Sequence, residues 1–342
     1  MGIDPASKTV DIKQPLFNRR QLLQAGLLLG AAGGATIGLS QLWRSRGRSA
    51  TVTIPPLPQE AMHHGSGISP LKILREFDYG TVTQENGRTV REFRVEAQTG
   101  ELQLNKSTKF ITWNLNGRVP GPTFRATEGD RIRVIFYNKA GHSHSLHFHG
   151  THPAAMDGVK PVRNGNVFIY EFDAEPYGVH LYHCHVAPVT RHIGKGLYGM
   201  FIIDPPQPRP PADEMVLIMA GYDTNNDNKN ELYAFNGLPH AYMHQPIPIQ
   251  QNQLIRLYVL NLIEFDPVAT FHLHANLFRV NPTGRLLEPS YETDVITMGT
   301  AERHILEFSF KETGKFMFHP HQDAIAEAGC MGYFDVISGL PS

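Results

Sequence analysis

Cysteine is almost absent: the 342 residues hold only Cys184 and Cys330. If one of them serves a metal the other has no partner, so no disulfide framework is expected to hold the fold. A surplus of one charge is also lacking. Lys and Arg number 31 against 32 Asp and Glu, a formal net charge of −1, which leaves nothing to bind a phosphate backbone and argues against nucleic acid as a partner. There is no methionine-rich segment, and the one mildly apolar stretch, ending near Leu39, is diluted by glycine. From about Ile68 onward no convincing amphipathic helix can be read. What is plentiful is histidine, with 18 residues.

A chain of this length with 41% hydrophobic residues is long enough for two domains, each with its own core. It begins with Phe17-Asn18-Arg19-Arg20-Gln21-Leu22-Leu23 ahead of the glycine-diluted stretch. Paired arginines in this place look like a twin-arginine export signal, which implies a periplasmic or extracellular protein. The alternative is a membrane anchor, and no clear small-x-small cleavage site decides between them, so the membrane is a partner only if the segment is retained. Residues 1–50 are assigned to this signal and the start of a tether. The tether continues as a linker over 51–67, with Arg44, Arg46 and Arg48 followed by Ile54-Pro55-Pro56-Leu57-Pro58.

Beyond it the pattern is all-β. Short alternating runs such as Arg131-Ile132-Arg133-Val134-Ile135-Phe136 are separated by Gly, Pro and Asn turns. The run Asp204-Pro205-Pro206-Gln207-Pro208-Arg209-Pro210-Pro211 cannot join a central strand, because proline lacks the ladder donor. It marks a linker over 205–214 between a first domain, 68–204, and a second, 215–342. The two are repeats. Trp113-Asn114-Leu115-Asn116-Gly117 answers Tyr233-Ala234-Phe235-Asn236-Gly237, and His147-Phe148-His149 answers His272-Leu273-His274. His183-Cys184-His185 answers His319-Pro320-His321. Two tandem Greek-key β-sandwiches are the economical architecture.

In an extended strand His183 and His185 share one face and Cys184 takes the other, so one strand can serve two metal sites. A thiolate with imidazoles is the ligand set of a blue-copper electron-transfer centre, with the flanking histidines offering a through-bond path to a second site. The bland alternative is packing, which three further His-x-His pairs make hard to sustain.

His144-Ser145-Leu146-His147-Phe148-His149-Gly150, His183-Cys184-His185, Phe271-His272-Leu273-His274 and Phe318-His319-Pro320-His321 together resemble the motifs of a two-domain, laccase-like multicopper oxidase built from cupredoxin domains. The resemblance covers nearly everything after the tether. It implies four coppers per chain: one type 1, one type 2 and two type 3. Carried over residue by residue, it puts the type 2 copper on His147 and His272, and the type 3 pair on His149, His183, His185, His274, His319 and His321. His144, three residues before His147, faces the side that Cys184 occupies, and with Cys184 and His192 it completes the type 1 set. In the second repeat the matching positions are Ala269 and Pro320, and no histidine lies between His321 and Gly329, so a single blue copper is expected in the first domain. The usual axial methionine is replaced by Leu197, a non-ligand, which should raise the potential. Met200 and Cys330 read as core.

Oxygen reduction consumes protons as well as electrons. Asp157 resembles the family's carboxylate beside the type 2 copper, although alone it reads as an aspartate in a turn. Asp323 and Glu327 are weaker candidates for proton delivery. The resemblance implies an oxidase that takes electrons from a small reducing substrate through the exposed edge of His192 or His144 and passes them to O2. Phenols or aromatic amines come first as donors, and Cu(I), Fe(II) or Mn(II) second. A copper nitrite reductase and a non-catalytic copper carrier are the alternatives. Each domain holds half of the eight histidines, so the cluster must sit at a domain-domain interface, within a chain or between chains; the resemblance implies a ring of three, a homotrimer with inter-chain trinuclear clusters.

Overall fold

The computed structural model describes residues 69–266 and 268–339. The export-signal and linker expectations for 1–67 fall outside the described residues. Among the described residues no helix is long and apolar enough to cross a membrane.

Alternation builds the first sandwich. In Arg131–Asn138 every second side chain is buried, as a strand with one face on a core requires. This strand pairs parallel with Arg88–Gln103 and antiparallel with Val167–Asp173, while Lys109–Leu115 pairs with the far end of Arg88–Gln103. The facing sheet runs Phe77–Asp78, Thr123–Thr127, Tyr198–Asp204, Gly178–His183 and His147–Phe148. Between the sheets lie Phe93, Val134, Phe136, Phe148, Tyr182, Cys184 and Leu197.

The second half repeats the order and senses of the central strands. Ile247–Gln250 runs parallel to Gly332–Ile337, which pairs antiparallel with Gly314–His319, and that in turn with Val268–Leu273. The same senses hold along Thr123–Thr127, Tyr198–Asp204, Gly178–His183 and His147–Phe148. In both repeats the first histidine of the early pair sits directly opposite the first of the late pair: His147 faces His183, and His272 faces His319. The Asn-Gly turns coincide as well. Asn116 and Asn236 adopt positive φ of 56° and 51° with glycine next, the conformation a tight hairpin turn demands. The Asn116 carboxamide oxygen accepts from the Glu96 amide, and that of Asn236 from the Ile218 amide.

A third apolar cluster joins the sandwiches, with Leu181, Tyr198, Met200 and Ile202 from the first against Val216, Ile218, Tyr222 and Tyr258 from the second. Covered on both faces, Tyr198–Asp204 and Asp213–Tyr222 are buried along nearly their whole length. Ion pairs close over the edge of the joint. Arg125 contacts Asp204 at 2.7 Å and Glu214 at 2.6 Å, and Arg256 contacts Glu214 at 3.2 Å and Glu307 at 2.8 Å.

Two boundaries differ from expectation. Asp213 and Glu214, expected in the linker, pair with Ile255 and Arg256 as strand. The short helix Pro70–Arg75, expected in the first domain, packs on the second: Leu74 joins its core and Arg75 bonds Asp213 at 2.8 Å. Short helices also follow both late histidine pairs, at Val189–Gly194 and Asp323–Glu327. Helical periodicity over five or six residues is too short to be read against a β background.

Candidate metal centres

Cys184 leaves the end of the strand Gly178–His183 and turns its sulfur into the first core, while His183 turns the other way. The Cys184 amide donates to the Leu197 carbonyl at 3.0 Å, which keeps the pairing running past the end of the strand. His144 is fixed by reciprocal backbone bonds with Val162 at 3.1 and 2.8 Å. The helix Val189–Gly194 folds the long interval after Cys184 back over the sulfur and so delivers His192.

Three donor atoms converge there. Cys184 Sγ lies 3.1 Å from His192 Nδ1 and 3.7 Å from His144 Nδ1, and the two nitrogens are 3.1 Å apart. The centre of that triangle is roughly 2 Å from each corner, close to the ~2.0–2.3 Å of first-row metal bonds to nitrogen and sulfur. All three side chains are buried, and burial, reinforced by neighbouring cationic and imidazole groups, holds the histidines neutral: His144 is pushed down to about 3 and His192 to about 4. Neutral imidazoles leave a lone pair for a metal. Burial pushes the Cys184 thiol up, so metal binding must displace its proton. Leu197 is fully buried beside the site and offers no donor.

The eight histidines of the four His-x-His pairs form two groups of four. In the first, the His147 ring lies 4.8 Å from His149, 5.4 Å from His183 and 5.0 Å from His185. In the second, the His272 ring lies 5.0 Å from His274, 5.4 Å from His319 and 5.3 Å from His321. His149 Nε2 meets His183 Nε2 at 2.9 Å, and His274 Nε2 meets His319 Nε2 at 3.0 Å. A carbonyl fixes the opposite nitrogen in several of them. Nδ1 of His183 faces Cys184 O at 2.9 Å, that of His319 faces Pro320 O at 2.7 Å, that of His147 faces Asp157 O at 3.0 Å, and that of His272 faces Asp294 O at 2.8 Å. A proton on Nδ1 donated to each carbonyl leaves Nε2 as the lone-pair atom, which is how second partners orient metal-binding imidazoles. Burial lowers His149 to about 3 and His183 to about 4.

The potential metal-holding groups among the described residues draw their histidines from one half or the other, never both. The first half is largely covered. The second is open, with His274 and His321 exposed.

Asp157 stands where the sequence suggested, its carboxylate 3.0 Å from His147 Nδ1. Its counterpart, Asp294, escaped sequence reasoning although its carboxylate is 3.7 Å from His272 Nδ1, because it lies 22 residues from that histidine with no motif around it. His152, which lies outside the His-x-His pairs, has Nε2 3.4 Å from the Asp157 carboxylate. His180 is buried with its ring nitrogens 2.8 Å from the carbonyls of His149 and Pro176, so it braces the backbone of His149. Asp323 and Glu327 are exposed on the last helix, and Asp323 acts on His319 through charge alone. Cys330 and Met200 are fully buried. Of the two histidines at the Cys184 site, His144 is 0% exposed with its Nε2 sealed in, while His192 keeps 5% of its surface, and Trp113 packs beside both rings.

Two family models, both described as multicopper oxidase, match residues 96–208 and 208–339. A solved multicopper oxidase structure is 46% identical, superposes with a TM-score of 0.79, and is matched over 81% of this chain and 99% of its own length. Among curated proteins, a copper-containing nitrite reductase of Neisseria meningitidis is 25% identical over 254 residues, 67% of this chain. That match spans 65% of the relative's own length. Laccase-12 of Oryza sativa is 29% identical over 177 residues, 44% of this chain and 30% of the laccase.

Proposed function

This chain belongs to the multicopper oxidase family, and on that footing we propose that it is a laccase-like oxidase, taking single electrons from a small reducing substrate and reducing O2 to water. The observation that carries the proposal is the coexistence of a buried triangle of one thiol and two imidazoles with two four-histidine groups of matching geometry. Copper, when bound, supplies one-electron chemistry at Cys184 and the four-electron reduction of O2 between the histidine groups. His144, Cys184 and His192 would hold the type 1 ion, His147 and His272 the type 2 ion, and His149, His183, His185, His274, His319 and His321 the type 3 pair. His183 and His185, bonded through the backbone to Cys184, give electrons a short covalent route between the sites. Asp157 orients His147 and is positioned to pass protons, with His152 behind it.

The halves meet, in this reading, between chains: the first group of one chain against the second group of a neighbour, in a closed homotrimer. Support comes from the single-half composition of each potential metal-holding group and from the open second group, flanked by exposed Val268, Leu277 and Val295. Each half alone leaves coordination incomplete. Complementation tests this. A chain with His147 and His149 replaced by alanine and a chain with His319 and His321 replaced should each be inactive, and co-expression should restore part of the activity. No recovery from well-folded mixed oligomers refutes the inter-chain cluster.

Phenols or aromatic amines are the proposed donors, in keeping with the laccase similarity and the lack of a methionine-rich segment for cuprous ion. Metal-ion oxidation is the next choice. The nitrite reductase similarity favours a second reading, in which one mononuclear site would suffice and the complete second histidine group would have no task. Copper content with oxygen-electrode and nitrite assays decides: four coppers per chain and O2 uptake support the oxidase, two coppers with nitrite turnover the reductase. Bound copper with neither turnover would mean a carrier. Secretion to the periplasm or beyond is proposed from Arg19-Arg20 and the stretch after it.

A further inference from the structure

Only 5% of His192 and none of His144 reaches the surface, so a donor at this site also touches what surrounds them. Above the two imidazoles stands Trp113, half-buried in the strand Lys109–Leu115. Its ring centroid lies 4.8 Å from that of His192 and 5.5 Å from that of His144. On its other side it meets the exposed ring of His142 at 5.1 Å. The indole is tied to the site by its backbone: the Trp113 amide donates at 2.9 Å to the carbonyl of Lys195, the residue that ends the helix carrying His192. His142 is steadied by Nδ1 lying 3.2 Å from the Ala140 carbonyl. A chain of tilted ring contacts therefore leads from solvent through His142 and Trp113 to both imidazoles.

We propose that Trp113 is the electron-transfer contact of the Cys184 site and that the surface formed by Trp113 and His142 is where the reducing donor docks. The proposal rests on the reading of His144, Cys184 and His192 as the electron-accepting copper site. A ring in contact with both imidazoles extends the small exposed edge of His192 into a surface against which a planar aromatic donor can stack. The electron count is simple. The donor is oxidised by one electron, a phenol also releasing its proton to water, and the site passes from Cu(II) to Cu(I), while the indole ends unchanged.

The test compares holoproteins carrying His142→Glu and His142→Lys, which differ by two charges near pH 8 whatever the native imidazole carries. At ~0.01 M ionic strength, where screening extends over ~30 Å, the blue site is reduced anaerobically by ferrocyanide or by hexaammineruthenium(II). Ferrocyanide should act at least about threefold more slowly on His142→Glu than on His142→Lys, and the cationic donor should reverse the order. Lys315→Glu, exposed in the second sandwich, should leave both rates within roughly 1.5-fold. Trp113→Leu should slow both donors about tenfold or more with the blue band and midpoint potential unchanged, whereas a merely structural Trp113 would move the colour or the potential. A separate readout needs no turnover. Trp43 and Trp113 are the two tryptophans, so in a Trp43→Phe protein copper loading should quench most of the emission. Equal rates for the two His142 variants with each donor, in protein that is still blue, overturn the docking surface. Unquenched emission overturns the Trp113 contact. A wild-type holoprotein with no blue band would instead refute the copper site, and this proposal with it.

Discussion

Leu197→Met should lower the midpoint potential of the Cys184 site. Leu197 is bound to the site by its backbone, its amide donating to the His192 carbonyl at 3.3 Å and its carbonyl accepting from the Cys184 amide at 3.0 Å. Its side chain is fully buried. Leucine to methionine conserves volume, so the stability cost should stay below ~1.5 kcal/mol. The thioether adds a weak donor that favours the oxidised ion. If that preference is worth ~1–2 kcal/mol, the potential falls by roughly 40–90 mV, at 59 mV per tenfold for one electron. The assay is a mediated redox titration of the blue band, with Leu197→Ala as control. The alanine variant leaves a cavity costing ~2–5 kcal/mol but supplies no donor, so it separates packing from ligation. A potential that stays put or rises in Leu197→Met refutes the placement of Leu197 at the axial position.

Cys184→Ser should abolish the blue colour and leave copper at the histidine cluster, since His183 and His185 face away from the sulfur; absorption and metal analysis check this, and a variant that stays blue would sink the assignment. Asp157→Asn should slow O2 reduction roughly ten- to hundredfold while barely changing reduction of the blue site by donor, and equal slowing of both half-reactions in stopped flow would point to misfolding instead. Acid should destabilise the copper-free protein. His144 and His149 titrate near 3 and His183 and His192 near 4 when folded, chiefly because of burial, against ~6.5 when unfolded. Between those values the unfolded chain binds more protons, so stability is fully present above ~6.5 and is lost as pH falls toward 3–4. At up to ~1.4 kcal/mol per pH unit for each of the four histidines, the loss from pH 7 to 5 is up to about 8 kcal/mol and Tm should drop by roughly 10 °C or more; a calorimetric Tm that is flat or rises on acidification would contradict it.

The opposite facing of Cys184 and its two histidine neighbours was legible in the sequence because it is written in local geometry. A spacing of two places His183 and His185 on one side of a strand and Cys184 on the other without any knowledge of the rest of the chain. The duplication was legible for a related reason: Asn116-Gly117 and Asn236-Gly237 need positive φ wherever they occur, and that chemistry marks the same turn in both halves. Three features waited for the tertiary structure. Trp113 covers His144 and His192 because the strand Lys109–Leu115 pairs in a register fixed by its partner, Arg88–Gln103, and contacts across a sandwich leave no local pattern. Asp294 reaches His272 across 22 residues, through the pairing of His272 with Val295 that brings the preceding residue alongside. That no potential metal-holding group among the described residues mixes histidines of both halves depends on the apolar joint around Met200 and Tyr258, through which one sandwich is turned on the other. That orientation is a sum of many weak, non-directional contacts, and no single stretch of residues encodes it.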